Sequence, residues 1–449
     1  MQSLQFYVRV FVACIFASFE SACGFFGLGW GSQQQASSEV VNVPIYSIPL
    51  QKQYVPVSKN NKTVAYKTAY FGKVQLGTPG QEFTVVFDTG SGHFVLPRTS
   101  CHSETCSKHR RYDISKSTSA VDIEHNGALI KPDAKDRDQV VVSYGTGKIT
   151  GEFVEDIVCV GSADSDCFPM RVVLATDMTE DPFGMFKFDG VMGLSLDALR
   201  LHSKFSFFGE MVAHKSGMVP QFSVFLSRRE DSESKISFGG YDKDKTSSEL
   251  KWASVARPDL GHWQVQIKQI RIGTTVLDEC ADGSCHAVVD TGTSLLGVPR
   301  AATRSMHHLL ARRAPADIHA DQIDCRKVPG HSIDFDLGNV VVSLPVEDYS
   351  RPAPINMTNA DKSSSSLICR SLLLPVDMAP PLGPKLFIWG EPVLRRYLTV
   401  YDLAQKRIGF SLARQPEASE TSQQQGAGSL DAPPEGTLLA GAPLPSATV

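Results

Sequence analysis

The chain has 449 residues, 42% of them hydrophobic and 20% charged, the make-up of an ordinary soluble protein with room for two lobes, each with its own core. A formal net charge of −4 and the lack of a long basic run exclude a protein that binds nucleic acid through electrostatics, and leave peptides or proteins as the expected partners.

Residues 1–24 have the pattern of a secretory signal peptide: Arg9 ends a weakly positive stretch, residues 10–19 are apolar, and Ala22-Cys23-Gly24 offers small residues for cleavage. Glu20 interrupts the apolar run and counts against a membrane span; an uncleaved anchor running on through Phe25, Phe26 and Leu28 is the alternative. Passage through the secretory route governs how the ten cysteines are read, because disulfides persist there. Cys14 and Cys23 would leave with the leader. By spacing and lobe the others pair as Cys101 with Cys106, Cys159 with Cys167, Cys280 with Cys285, and Cys325 with Cys369, although sequence alone leaves other connectivities open. Cys101, His102, Cys106 and His109, or Cys280, Cys285 and His286, are chemically able zinc ligands, but neither group has a second ligand pair at finger spacing, so no metal is expected. Asn61-Lys62-Thr63 and Asn356-Met357-Thr358 are glycosylation acceptors in the same setting.

From about residue 70 to 412, short runs rich in Val, Ile, Phe and Thr alternate with Gly, Pro, Asp and Ser clusters, which is an all-β signature. Strands are expected at 83–87, 140–144, 222–226, 264–272 and 340–344. Helices are few: one after Pro299, where Met306, Leu309 and Leu310 recur at helical spacing, and one over 207–214. Residues 126–138 and 350–366 read as inserted, solvated loops. Residues 413–449 turn to Gln, Ser, Ala, Gly and Pro without aromatics, the composition of a disordered tail.

Within this frame one pattern occurs twice. Val85-Val86-Phe87 runs into Asp88-Thr89-Gly90-Ser91, and Ala287-Val288-Val289 runs into Asp290-Thr291-Gly292-Thr293. Each is followed, at nearly the same distance, by an apolar run ending in Gly, Val191-Met192-Gly193 and Ile388-Trp389-Gly390. Such a repeat implies two lobes of like topology, each presenting one carboxylate on a loop after a buried strand. Two carboxylates brought together cannot both ionise freely; they share a proton, and the pair serves as base toward a water and acid toward a substrate. Gly90 and Gly292 allow close approach, and the Ser91 and Thr293 hydroxyls are placed to hold the outer carboxylate oxygens.

Over about residues 66–412 the sequence resembles the pepsin and cathepsin D family of aspartic endopeptidases. The resemblance rests on the two Asp-Thr-Gly motifs, on Tyr70-Phe71-Gly72 to Leu76-Gly77-Thr78-Pro79, and on Ser143-Tyr144-Gly145-Thr146-Gly147, which is similar to the flap hairpin. Phe238-Gly239-Gly240 and Tyr397-Leu398-Thr399-Val400-Tyr401-Asp402 complete it. It implies a bilobal all-β fold, with lobes at 66–245 and 246–412, a central cleft and few short helices. It makes Asp88 and Asp290 the catalytic dyad and places Tyr144, Gly145 and Thr146 over the substrate. It also implies a monomer that needs no cofactor, prefers apolar residues around the cut, works at acidic pH, and is secreted or held in an endolysosomal or vacuolar-type compartment.

Three departures stand out. The family usually continues Ser-Asn-Leu-Trp after the first motif, with the Trp indole bonded to the flap tyrosine; here Gly92-His93-Phe94-Val95 follows, and His93 is the expected substitute partner for Tyr144. Residues 25–65 form a short pro-segment whose Ile48-Pro49-Leu50-Gln51-Lys52 resembles a propeptide's first strand, with Lys52, Lys59 or Lys62 left to lie across the dyad. Trp389 takes a position usually held by a smaller aliphatic residue, where it is read as core filling, and Glu391-Pro392 replaces the usual acidic step. Two rival readings are an actin-like ATPase, whose phosphate loops are also Asp-x-Gly turns, and a protease fold kept for binding without catalysis.

Overall fold

A computed structural model describes residues 45–416, apart from 60–61, 132–133, 135, 146, 162–165, 316 and 359–364. The leader, Cys14, Cys23, Asn61, Thr146 and the tail beyond 416 lie outside the described residues.

Strands dominate, as the alternating sequence pattern requires. The largest sheet has 14 strands; it runs from Lys251–Ser254 through Arg407–Leu412, Tyr397–Asp402, Gln221–Phe225 and Ser234–Phe238 to Tyr46–Lys59, and on through Lys62–Leu76 and Gln81–Asp88. Sheets of five, four and three strands hold most of the rest of the chain from Gln264 to Trp389. The longest described helix, Arg300–Leu310, has 11 residues and buries Ala302, Met306 and Leu310, one per turn. Phe207–His214 is helical too, capped by the Ser206 hydroxyl, which accepts from Gly209 N–H. These short helices are those of a pepsin-like β fold; an actin-like fold, rich in helices, is not what this chain forms.

The repeat seen in the sequence is a repeat of topology. In the first half, strand Gln81–Asp88 pairs in parallel with Gly190–Gly193, setting Asp88 beside Gly193. That second strand pairs antiparallel with Phe94–Pro97, which in turn pairs in parallel with Cys167–Met178. In the second half, Cys285–Val289 pairs in parallel with Leu386–Trp389, that strand antiparallel with Leu296–Pro299, and the last in parallel with Leu373–Val376. Strands with neighbours on both sides and apolar contacts on both faces need continuous apolar runs, which is why Val85-Val86-Phe87 and Ala287-Val288-Val289 do not alternate with polar residues.

Four disulfides join Cys101 to Cys106, Cys159 to Cys167, Cys280 to Cys285 and Cys325 to Cys369. Segment 350–366 differs from the loop expected of it. Ile355–Thr358 and Ser365–Cys369 pair as a hairpin against Arg312–Arg313, because ladder bonds come from the backbone and polar side chains suit an exposed edge. In segment 126–138, Arg137 is tied down by Asp122 at 2.8 Å and Glu152 at 3.2 Å. Ala413, Arg414 and Gln415, at the start of the tail, are hydrogen-bonded to Arg396, Lys245, Leu226 and Arg395.

Candidate active site

Asp88 ends its strand and Asp290 follows directly on Val289, so each carboxylate stands at the end of the central strand of one half. The loops that carry them interlock. Thr89 N–H donates to Thr291 Oγ1 at 2.9 Å, and Thr291 N–H donates to Thr89 Oγ1 at 3.1 Å. Each hydroxyl then crosses to the opposite strand end, Thr89 Oγ1 to Val289 O at 2.8 Å and Thr291 Oγ1 to Phe87 O at 2.5 Å. Neither threonine figured among the residues singled out from sequence. The signal was present: the middle residue of both motifs is the same.

Each carboxylate is also held from within its own loop. Gly90 N–H donates to Asp88 Oδ1 and Gly292 N–H to Asp290 Oδ1, both at 2.9 Å. Each glycine meanwhile faces the other aspartate: a Cβ at Gly90 would stand 2.9 Å from Asp290 Oδ1, and one at Gly292 2.5 Å from Asp88 Oδ1. Any side chain there would push the carboxylates apart. Burial first, and the neighbouring Asp290 second, raise the Asp88 carboxyl well above the usual carboxylate range.

The two supporting hydroxyls are not equivalent. Thr293 Oγ1 donates to Asp290 Oδ2 at 2.6 Å, as expected, whereas Ser91 Oγ is buried beside both the Asp88 carboxyl and the Tyr144 hydroxyl, close enough to lower the pKa of each but aligned for a full hydrogen bond with neither. Tyr144, in strand Val140–Tyr144, pairs with Gly147 of the returning strand, and Gly145 between them adopts the left-handed conformation (φ 54°) that glycine allows. The Tyr144 ring meets Phe183 edge-on at 5.5 Å, and its buried hydroxyl lies beside Ser91 Oγ without an aligned hydrogen bond. Burial and the Asp88 charge push that phenol far above its ordinary value.

His93 does not support Tyr144. Its Nε2 accepts from Leu201 N–H at 3.2 Å and its ring packs against Phe205 at 5.4 Å, so it is a buried bracket for the 200–205 segment. Val95 is fully in the core, opposite Val191. Trp389 is wholly buried against Phe335 and Phe410, filling volume beneath the second motif. Lys52 lies between Glu391 and Glu230, at 3.3 Å from each, and so is engaged by these carboxylates instead of the aspartates; the Lys59 and Lys62 side chains lie outside the described residues. His262 escaped the sequence reading. It is half-buried, interacts with the Asp290 charge, and is held below its ordinary pKa chiefly by desolvation.

The family model for eukaryotic aspartyl protease matches residues 69–413. The chain belongs to that family, whose members hydrolyse peptide bonds. Among its curated relatives, human gastricsin (Homo sapiens) is 31% identical over 348 residues, covering 77% of this chain and 81% of the relative. Sheep renin (Ovis aries) is 30% identical over 358 residues, with 77% and 81% covered. Cathepsin E of the frog Aquarana catesbeiana is 30% identical over 347 residues, with 76% and 79% covered.

Proposed function

We propose that this protein is an aspartic endopeptidase in which Asp88 and Asp290 share one proton and activate a water between them. The observation that carries this reading is the pairing of the two loops, with each motif glycine against the other motif's carboxylate. With one proton in the pair, the ionised carboxylate takes a proton from water as its oxygen attacks the scissile carbonyl carbon. The protonated carboxyl gives its proton to the carbonyl oxygen. Collapse of the resulting diol breaks the C–N bond, and the leaving nitrogen takes up the proton. The proton belongs to the pair. Ser91, Thr293, Gly90 and Gly292 shape the pair, and the Tyr144–Thr146 hairpin closes over an extended peptide whose alternate side chains enter pockets.

The raised Asp88 carboxyl keeps a proton in the pair well above the pH at which a free carboxyl loses it, so the pair holds that proton throughout the acidic range, consistent with work in an acidic compartment. The signal-like residues 1–24, the four disulfides and the exposed Asn356 support a route through the secretory pathway to secretion or an endolysosomal or vacuolar-type organelle. Lobes at 66–245 and 246–412, a preference for apolar residues around the cut and a monomeric state complete the reading.

The test is cleavage of a mixed peptide library at acidic pH, with and without a statine-type inhibitor. Inhibitor-sensitive cleavage lost in Asp88→Ala supports the assignment. Cleavage that survives Asp88→Ala refutes the mechanism, and no cleavage by the intact protein favours a binding role.

A further inference from the structure

Glu391 is a carboxylate with almost no access to water, its residue 9% exposed, and a buried charge of that kind is tolerated only when it is paired and hydrogen-bonded. Its partners are Lys52 Nζ at 3.3 Å, Arg395 Nη1 at 3.5 Å, the Tyr70 hydroxyl, which donates at 2.8 Å, and the Thr68 hydroxyl. Burial favours the protonated form, yet Lys52, Arg395 and the two hydroxyls bring the carboxyl below its ordinary value.

These contacts lead to the second motif by two routes. Glu391 N–H donates to Thr293 O at 3.0 Å, and the Thr293 hydroxyl holds Asp290 Oδ2. Thr68, which bonds Glu391 through its side chain, is clasped by Ser294 through its backbone: its N–H donates to Ser294 Oγ at 2.9 Å, and Ser294 Oγ donates to its carbonyl at 2.7 Å. The loop that follows Asp290 is therefore fastened to Glu391 by two routes, which reach the neighbouring residues Thr293 and Ser294.

Lys52 comes from strand Tyr46–Lys59, which lies ahead of the matched family region beginning at residue 69. The strand is bonded along its length, residues 46–50 to 234–238 and residues 51–59 to 62–71. Ile48, Leu50, Gln53 and Val55 are buried, and Gln53 Oε1 accepts from Lys187 N–H at 2.8 Å. Loss of residues up to 65 would strip Glu391 of one of its two cations and uncover that apolar face.

We propose that Lys52 is a positioning residue for the Asp290 loop, acting through Glu391, and that the strand carrying it is part of the working enzyme instead of a removable pro-segment. This rests on Asp290 being half of the catalytic pair.

The test uses the full chain and compares wild type, Lys52→Met, Lys52→Arg and Thr68→Val by kcat, KM and melting temperature, with Asp290→Asn as control. Misplacement of the carboxylate predicts that Lys52→Met lowers kcat about tenfold with KM nearly unchanged, and that Lys52→Arg recovers most of it. Thr68→Val keeps every charge and cuts one link; it should lower kcat in the same way, and it replaces Lys52→Met should that variant not fold. Wild-type kcat in Lys52→Met or in Thr68→Val overturns the proposal, as does active enzyme whose N-terminus, by mass spectrometry, lies beyond residue 65. An active Asp290→Asn would instead overturn the dyad assignment.

Discussion

Thr89 and Thr291 exchange hydrogen bonds between the two aspartate loops, each backbone N–H donating to the other's hydroxyl and each hydroxyl passing on to the opposite strand end. The exchange ties the two aspartate loops into one rigid object. Neither loop can then move without dragging the other, so the spacing of the carboxylates is decided by buried hydroxyls, not by the acids themselves.

Thr89→Val keeps the shape of the side chain but leaves Thr291 N–H and Val289 O without their bonds from Thr89. Each such buried group costs about 1–3 kcal/mol. The variant should melt lower by an amount corresponding to about 2–6 kcal/mol, while Thr89→Ser stays close to wild type. Thermal unfolding of the two variants side by side checks this, and equal melting temperatures would contradict it.

The unequal hydroxyls predict unequal mutants. Thr293→Val removes a bond to Asp290, worth about 1.5–3 kcal/mol when the acceptor is charged, and should lower kcat. Ser91→Ala removes a hydroxyl that is close to Asp88 and Tyr144 but aligned with neither, so it should cost less stability than Thr293→Val. Chemical denaturation and steady-state kinetics on both variants separate them.

His93 predicts a pH dependence of stability. Burial, with Arg200 second, holds its pKa down at about 4, against 6.5 for a free histidine. Between these values the unfolded chain binds a proton that the folded chain refuses, so stability falls as pH drops from about 6.5 to 4, by an upper bound of about 3 kcal/mol. The raised Asp88 carboxyl works in the opposite sense, since the folded chain takes up its proton at higher pH than the unfolded chain. Replacing His93 with Asn should flatten the acid-side loss, seen as a smaller drop in melting temperature between pH 7 and 4.5, without abolishing turnover.

Tyr144 holds its hydroxyl buried beside Ser91, out of full hydrogen-bond alignment, while its ring rests on Phe183. Removing that hydroxyl takes away no well-aligned bond among the described residues, so Tyr144→Phe should melt close to wild type. If the hydroxyl finds its partner on bound peptide, kcat/KM falls by about tenfold, the value of one hydrogen bond. A variant with unaltered kcat/KM would show that the tyrosine serves only as an apolar cover.

Much of this arrangement was legible in the chain before folding. Strand content, the helices over 207–214 and after Pro299, and the duplicated halves all follow from periodicity, capping and repetition, which are local properties. Segment 350–366 escaped because backbone ladder bonds do not depend on side-chain polarity, so a serine-rich stretch can still pair as an edge hairpin. His93 was misjudged for a different reason: sequence places it next to the motif but says nothing about the direction of its ring, and packing turned it toward Leu201 and Phe205.

The sequence by itself determined the two carboxylates, the glycines that let them approach, and the family, because those depend on residue identity at short spacing. Only the tertiary structure decided what surrounds them. The threonine exchange, the approach of the Ser91 hydroxyl to Tyr144 and the Lys52–Glu391 link join residues far apart in the chain, and contacts at that distance are set by how sheets pack.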